Sequence, residues 1–177
     1  MYFDLKNRIY VVTGASGGIG SALVNLLNKE GAELFLIDTD QTSLDQLKKE
    51  QATHQNQNYF LNSNLKDFKE ITDKLQKPIS GIIHLAGQLE SDNATSNKKP
   101  IWERAIQNNL TNAYDIIENL IPFFDKNIIG KIILTSSLAY RRGGFDFIPY
   151  TASKGGITGL VRAYSRKLAP EILVNGL

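Results

Sequence analysis

The chain of 177 residues contains no cysteine and only two histidines. Without cysteine it can form neither a disulfide framework nor a thiolate metal site, and a reducing compartment is permitted. The two histidines, His54 and His84, stand far apart in the sequence. We therefore expect no zinc cluster and no bound metal.

Long apolar runs and a strong charge of one sign are also absent. A membrane-spanning helix needs about 18 continuous apolar residues, and no stretch of the sequence approaches that length. The N-terminus also lacks the pattern of a secretory signal. The formal net charge is only +2, without a basic stripe, which argues against nucleic-acid binding. We expect a cytoplasmic protein with neither a membrane nor nucleic acid among its partners.

The composition that is present is typical of a globular domain, with 42% hydrophobic and 21% charged residues. A chain of this size has room for a core that buries roughly 70% of the unfolded surface. A second full domain does not fit. We therefore assign residues 1–177 to a single domain.

Apolar runs of strand length alternate with segments of helical periodicity. The predicted strands cover residues 9–12, 33–38, 58–61, 81–85, 131–136 and 172–175. The predicted helices cover residues 21–29, 41–50, 66–76, 101–126 with a bend at Pro122, and 150–168. This alternation predicts an α/β fold, in which a doubly wound, Rossmann-like parallel sheet carries helices on both faces.

A glycine-rich turn from Thr13 to Gly20 follows the first predicted strand. In dinucleotide-binding folds the backbone approaches a pyrophosphate at this point, and the N–H groups of the next helix bind it. Gly14, Gly18 and Gly20 take the three-glycine role, although their spacing is wider than usual. A tight strand-to-helix turn without a ligand would use the same residues.

Asp38 ends the second predicted strand, about 20 residues past the turn, where an acid accepts hydrogen bonds from the adenosine ribose. The alternative is a solvated turn or cap residue. Neither Ser16, Gly17 nor Thr39 supplies the positive charge that a 2′-phosphate needs. The sequence therefore predicts a preference for NAD(H) over NADP(H).

Tyr150 and Lys154 stand four residues apart at the start of a predicted helix, so they share one helix face. A phenol titrates near pH 10, and a nearby ammonium lets it exchange a proton closer to neutrality. Ser137 stands upstream, at the end of a strand, where it can hydrogen-bond a substrate oxygen. Singly these are ordinary surface or turn residues, but their spacing favours a proton-transfer site.

Taken together, these motifs resemble the short-chain dehydrogenase/reductase family, in the branch with a T-G-x-x-x-G-I-G turn and a Y-x-x-x-K motif. Ala86 and Gly87 match the end of the family's N-N-A-G segment. Asn109 matches the asparagine that the family places in its long helix. The resemblance covers essentially the whole chain.

The resemblance implies an NAD(H)-dependent oxidoreductase that transfers a hydride between nicotinamide and the carbinol or carbonyl carbon of a small alcohol or ketone. Tyr150 is then the acid or base, and Lys154 lowers the Tyr150 pKa and binds the nicotinamide ribose. Ser137 orients the substrate oxygen, and Asn109 holds a water that links Lys154 to solvent. The implied cofactor-binding residues are Gly14, Ser16, Gly17, Gly18, Ile19, Gly20, Asp38, Asn64, Ala86, Gly87, Tyr150 and Lys154.

The sequence also departs from the family pattern. His84 and Leu85 replace the two asparagines of N-N-A-G, and we expect His84 to be a hydrogen-bonded strand histidine. Asn64 replaces the usual aspartate near the adenine, where an amide can still bond.

The sequence ends at the sixth predicted strand, where family members continue through a substrate lid, another helix and a seventh strand. We therefore expect a C-terminally shortened fold with an open substrate side. This leaves a second hypothesis, a catalytically inactive dinucleotide-binding module that serves as a dimerisation partner or redox sensor. Similar proteins pair the helices predicted at 101–126 and 150–168 across subunits, which predicts a homodimer or homotetramer.

Overall fold

A computed structural model of the chain describes residues 5–52, 57–93 and 97–177, and His54 lies outside these described residues. All six predicted strands form within a residue or two of the predicted positions. They are β1 (Ile9–Thr13), β2 (Glu33–Asp38), β3 (Asn58–Asn62), β4 (Gly81–His84), β5 (Gly130–Leu134) and β6 (Ile172–Gly176). The strands pair in parallel in the order β3-β2-β1-β4-β5-β6. The predicted Rossmann-like α/β fold is confirmed.

Helices flank this sheet. They are α1 (Gly18–Lys29), α2 (Gln41–Gln51), α3 (Phe68–Lys74), α4 (Lys99–Ala105), α5 (Asn112–Leu120), α6 (Ala139–Arg142) and α7 (Ile148–Leu168). The sequence did not predict α6, because its four residues are too few to show a helical period. No helix in the described part of the chain is both long and apolar enough to cross a membrane.

The prediction of one continuous helix over residues 101–126 is wrong. After α4 the chain forms a π-helical segment at Ile106–Thr111, then α5, then a 3-10 turn at Ile121–Phe123. Pro122 ends the helix instead of bending it, because proline lacks an N–H group and its ring clashes with the preceding turn. The π-helical segment contains Asn109. Such segments change the direction of side chains locally and are common at functional sites.

The core has one layer on each face of the sheet. Val11 and Ile82 belong to the layer that includes Ile116 of α5 and Ile157 of α7. The next residues along the strands, Val12 and Ile83, belong to the layer that includes Val24 of α1. Because successive strand residues point to opposite faces, a parallel strand covered on both sides is apolar at every position. This explains the unbroken apolar runs in the sequence.

The strand order reverses between β1 and β4. From β1 the chain continues to β2 and β3 on one side, whereas β4, β5 and β6 lie on the other. Segments that leave the carboxyl ends of β1 and β4 therefore diverge and open a crevice between them. In doubly wound sheets ligands bind at this switch point.

Candidate functional site

A cleft of about 560 Å³ opens at this switch point. Its volume falls in the range of small-molecule sites, about 300 to 1,000 Å³. Most of its lining comes from residues at or just after the carboxyl ends of β1 to β4. The lining residues are Thr13, Gly14, Gly17, Ile37, Asp38, Thr39, Ser63, Asn64, Leu65, Lys66, Leu85, Ala86, Gly87, Gln88, Asn108 and Asn112.

The glycine turn is shaped by two close approaches of backbone. Gly14 has a φ of +66°, and a Cβ there would lie 2.8 Å from the Ala86 nitrogen. A Cβ on Gly20 would overlap the Gly14 carbonyl oxygen. Both positions therefore require glycine. A Cβ on Gly18 would meet no atom of the described residues within 4 Å, so the packing of the protein itself does not require glycine there.

The amino end of α1 is available to an anion. The helix begins at Gly18, earlier than the predicted Ser21, and Gly17 is its N-cap without a side-chain capping bond. N–H groups in a first turn have no intrahelical acceptor, and the helix dipole adds partial positive charge. Gly17 lines the cleft, whereas Ile19 is 68% exposed in the first turn. A pyrophosphate fits this end of the cleft.

Asp38 ties the glycine turn to the end of β2. One carboxylate oxygen accepts bonds from the Ser16 backbone nitrogen at 2.9 Å and from the Ser16 hydroxyl at 2.7 Å. The other accepts bonds from the backbone nitrogens of Thr39 at 2.7 Å and Asp40 at 3.3 Å. A ribose hydroxyl must therefore share the carboxylate with Ser16 or displace the Ser16 hydroxyl from it.

Tyr150 and Lys154 lie on one face of α7, as their spacing predicts. The Lys154 Nζ is 5.7 Å from the centroid of the Tyr150 ring and donates a hydrogen bond to the Thr135 carbonyl at 2.8 Å. Burial lowers the pKa of the Lys154 ammonium from its ordinary 10.5 to about 8. Ser137 follows β5, and its Oγ accepts a bond from the Ala139 nitrogen at 3.1 Å. The Ser137 hydroxyl proton remains available to a substrate oxygen.

The Asn109 side chain acts on the backbone after β4. It is fully buried, its Oδ1 accepts a bond from the Gln88 nitrogen at 2.8 Å, and its Nδ2 donates to the Gln88 and Ala105 carbonyls, both at 3.0 Å. A Cβ on Gly87 would lie 2.7 Å from the Asn109 Oδ1 and 3.2 Å from the Lys154 Nζ. Glycine at 87 thus lets both side chains approach. The water link expected at Asn109 stays a prediction.

His84 is buried, and only one of its two ring nitrogens has a hydrogen-bond partner among the described residues. Its Nδ1 lies 2.8 Å from the Thr13 hydroxyl oxygen, which also accepts a bond from the Ala86 nitrogen at 3.3 Å. Its Nε2 has no hydrogen-bond partner among the described residues. Burial, with a smaller contribution from the Lys154 charge, lowers the His84 pKa from 6.5 to about 3. The expectation of a hydrogen-bonded strand histidine is correct for one ring nitrogen.

The structure separates the predicted cofactor residues into two groups. Those that line the cleft are Gly14, Gly17, Asp38, Asn64, Ala86 and Gly87. Those outside its lining are Ser16, Gly18, Ile19, Gly20, Tyr150 and Lys154. Sequence reasoning missed Ser63, Lys66 and Gln88, although a position soon after a parallel strand was a usable signal. Asn108, in the π-helical segment, and Asn112, at the start of α5, were also missed, because apolar periodicity does not show which polar residues of a helix reach a cleft.

Comparison with known proteins gives a consistent result. The sequence profile described as short chain dehydrogenase matches residues 8–177. A 3-oxoacyl-(acyl-carrier-protein) reductase of Thermotoga maritima is 28% identical over 171 residues, which span 93% of this chain and 70% of the reductase.

Solved structures share the fold over nearly the whole chain. The crystal structure of a short-chain dehydrogenase/reductase (glucose/ribitol dehydrogenase) from Brucella melitensis superposes with a TM-score of 0.90 at 28% identity, covering 99% of this chain and 76% of that one. A short chain dehydrogenase from Shigella flexneri complexed with NADP has a TM-score of 0.83 at 26% identity, covering 98% and 77%.

Proposed function

The chain belongs to the short chain dehydrogenase family, and on this premise we propose that it is an NAD(H)-dependent oxidoreductase acting on a small alcohol or ketone. The observation that carries the proposal is the position of the Lys154 ammonium, 5.7 Å from the Tyr150 ring centroid. Ser137, which follows β5, has a hydroxyl proton that is free to be donated. The cleft beside them has the glycine turn and the acid that a dinucleotide needs.

The roles of the residues follow from their chemistry. A nicotinamide cofactor supplies the hydride or accepts it. Tyr150 gives a proton to the carbonyl oxygen in reduction and takes it from the hydroxyl in oxidation. The Lys154 charge stabilises the negative charge that develops on the Tyr150 oxygen as its proton leaves, and the Ser137 hydroxyl donates a hydrogen bond to the substrate oxygen.

The preference for NAD(H) rests on charge in the cleft. The Asp38 carboxylate repels a 2′-phosphate, and neither Gly17 nor Thr39 carries a positive charge that would attract one. Lys66 also lines the cleft and supplies one positive charge. The NADP-bound relative makes the preference worth a direct measurement. We expect NADH to bind more tightly than NADPH, and Asp38→Asn to reduce the difference, whereas Lys66→Ala should increase it.

Tyr150→Phe tests the catalytic role. The variant should lose at least about 100-fold in turnover, the lower end of what a general acid contributes, and should keep its NADH dissociation constant. Tyr114→Phe is the matched control, because it removes the hydroxyl of a half-exposed tyrosine on α5. Undiminished turnover by Tyr150→Phe would refute the mechanism.

A second candidate is a dinucleotide-binding module without catalysis. Apolar side chains near the catalytic residues are open to solvent, with Phe145 94% exposed and Leu138 and Ile148 each 60% exposed. Water at this side weakens the electrostatic interactions on which hydride transfer depends. NADH binding without oxidation across a broad panel of ketones would favour this candidate.

The two helices α5 and α7 support a homodimer or homotetramer. Tyr114 of α5 and Trp102 of α4 are each nearly half exposed although both are large and apolar in character. Tyr114 packs against Tyr164 of α7, with the ring centroids 6.5 Å apart. Exposed aromatic residues are enriched at protein interfaces.

A further inference from the structure

Two amide side chains on the cleft wall have no assigned role. Gln88, just after β4, and Asn108, in the π-helical segment, both line the cleft. The Asn108 Nδ2 donates a hydrogen bond to the Gln88 Oε1 at 2.8 Å. The two side chains therefore form one amide pair at the edge of the site.

Asn109, the residue after Asn108, holds the backbone of Gln88 and so helps to order the amide pair. The buried Asn109 accepts a bond from the Gln88 nitrogen at 2.8 Å and donates one to the Gln88 carbonyl at 3.0 Å. Gln88 is thus held at its backbone and at its side chain by neighbouring residues of a single helical turn. Ordering a glutamine side chain costs substantial entropy. A pair that is ordered before a ligand arrives reduces that part of the cost of binding.

The bond between the two amides leaves one whole NH₂ group and one whole carbonyl oxygen unused, besides the second N–H of the bonded NH₂ group. The Gln88 NH₂ group and the Asn108 carbonyl oxygen have no hydrogen-bond partner in the part of the chain that the structure describes. The result does not depend on the assigned orientation of either amide. An amide-to-amide bond uses one N–H and one oxygen, so an NH₂ group and a carbonyl remain in either case.

This donor and acceptor select among the parts of a dinucleotide. A pyrophosphate offers acceptors only, and a carbonyl dipole directed at it is repulsive. An adenine edge, a ribose hydroxyl and the nicotinamide carboxamide each offer a donor and an acceptor, and glutamine and asparagine amides pair with adenine in this way. The position of the pair favours the adenosine half, because the cleft that it lines includes Asp38 but neither Tyr150 nor Lys154. Asn64, Leu65 and Ile37 line the same cleft and add amide and apolar surface.

We propose that the Gln88–Asn108 amide pair recognises the adenosine half of the dinucleotide, by hydrogen bonds to its adenine or ribose. The proposal rests on the proposed function for the presence of a dinucleotide. It adds two residues that set the affinity for that half. It also gives Asn109 a positioning role in cofactor binding, because Asn109 holds the Gln88 backbone.

The experiment is isothermal titration calorimetry of the full chain with NADH, ADP-ribose and nicotinamide mononucleotide. Gln88→Leu and Asn108→Leu should each weaken ADP-ribose binding about 3- to 10-fold, the effect of one net hydrogen bond, and leave the mononucleotide unaffected. Because the residues act as a pair, the double variant should lose less than the product of the single losses. Gln46→Leu is the control, since it removes an exposed amide bonded to Glu50 on α2.

Unchanged ADP-ribose affinity in both variants would overturn the proposal, and so would an equal loss for ADP-ribose and the mononucleotide. Gln88→Met keeps the side-chain length and serves if Gln88→Leu does not fold. The outcome is separable from that of the proposed function. Turnover that survives Tyr150→Phe refutes the catalytic mechanism and leaves the amide pair intact, whereas a wild-type chain that binds neither NADH nor ADP-ribose refutes both.

Discussion

The Lys154 ammonium lies in a largely buried position beside the Tyr150 ring, and burial lowers its pKa to about 8. The charged form is therefore present below about pH 8 and is lost above it. The ammonium donates a hydrogen bond to the Thr135 carbonyl and lies beside the Tyr150 ring, so loss of its charge should affect the proton-transfer site that we propose. The surroundings of one side chain thus place its titration within the working range of an enzyme.

We predict that the rate of ketone reduction falls as pH rises through about 8, measured as kcat/KM against pH. In reduction Tyr150 gives its proton to the carbonyl oxygen, and the Lys154 charge stabilises the negative charge that this leaves on the phenol oxygen. In Lys154→Arg the positive charge persists to high pH. The pH at which kcat/KM falls should therefore be higher in this variant, whatever its absolute rate. A fall at the same pH in this variant would show that the Lys154 charge does not determine it.

His84 gives a second pH effect, on stability. Its folded-state pKa of about 3 lies below the ordinary 6.5, so the unfolded chain takes up a proton first as pH falls. The contribution of neutral His84 is complete above pH 6.5 and is lost as pH falls toward 3. Within this window the free energy of unfolding should decrease by up to about 1.4 kcal/mol per pH unit from this residue alone.

His84→Asn should remove that slope. Urea unfolding of the wild type and the variant between pH 7.5 and 4.5 measures the difference, and the two curves should diverge in the acidic range. Asparagine cannot titrate, so the remaining pH dependence belongs to the rest of the chain. Parallel curves would show that His84 does not titrate on unfolding.

Among the elements, the π-helical segment at Ile106–Thr111 has the largest consequence for the site. It separates α4 from α5 and places Asn108 at the cleft while Asn109 points into the buried backbone after β4. The side chains of two consecutive residues thereby contact the same residue, Gln88. A regular helix over this stretch would not present the two asparagines in this way.

We predict that Asn109→Ala releases the Gln88 backbone. Native-state hydrogen exchange at the Gln88 amide should become faster by at least about 10-fold, and the free energy of unfolding should fall by about 1 to 3 kcal/mol because buried polar groups lose their partners. Asn119→Ala is the control, since that amide is exposed and bonds only within α5, to the Asp115 carbonyl. Unchanged exchange at Gln88 in Asn109→Ala would show that Asn109 does not hold the Gln88 backbone.

The elements differ in how well the sequence predicts them. β2 forms at the predicted Glu33–Asp38, because a strand buried on both faces is a continuous apolar run with sharp polar ends. The stretch 101–126 was predicted as one helix, because apolar periodicity does not distinguish α from π hydrogen bonding. α6 has only four residues, in the connection between β5 and α7, and therefore leaves no periodic signal.

At the scale of the whole molecule, the sheet order brings together residues that are distant in sequence. Thr13 and His84 are separated by 71 positions and bond directly, because β1 and β4 are neighbours. The glycine turn and Asp38 were predictable because a known motif spacing links them. The amide pair of Gln88 and Asn108 was not, because it needs the contact between a loop and a distant helix.

We predict that the chain associates through α5 and α7. Size-exclusion chromatography with light scattering should give the mass of a dimer or tetramer. Tyr114→Glu should shift it toward the monomer, because it places a charge among exposed aromatic residues. Leu26→Glu on α1, a residue of equal exposure, should leave the mass unchanged. A monomer at high concentration of the wild type would contradict the prediction.

The measurement that bears most directly on the proposed function is the transfer of deuterium from NADH that carries deuterium at both C4 positions of the nicotinamide to the product of a ketone panel. Wild type should yield an alcohol with one deuterium on the carbinol carbon, detected by mass spectrometry. Tyr150→Phe should yield about 100-fold less product while binding NADH equally well, and Tyr114→Phe should match the wild type. Binding of NADH without labelled product from any ketone, or equal labelling by Tyr150→Phe, would contradict hydride transfer with Tyr150 as the acid.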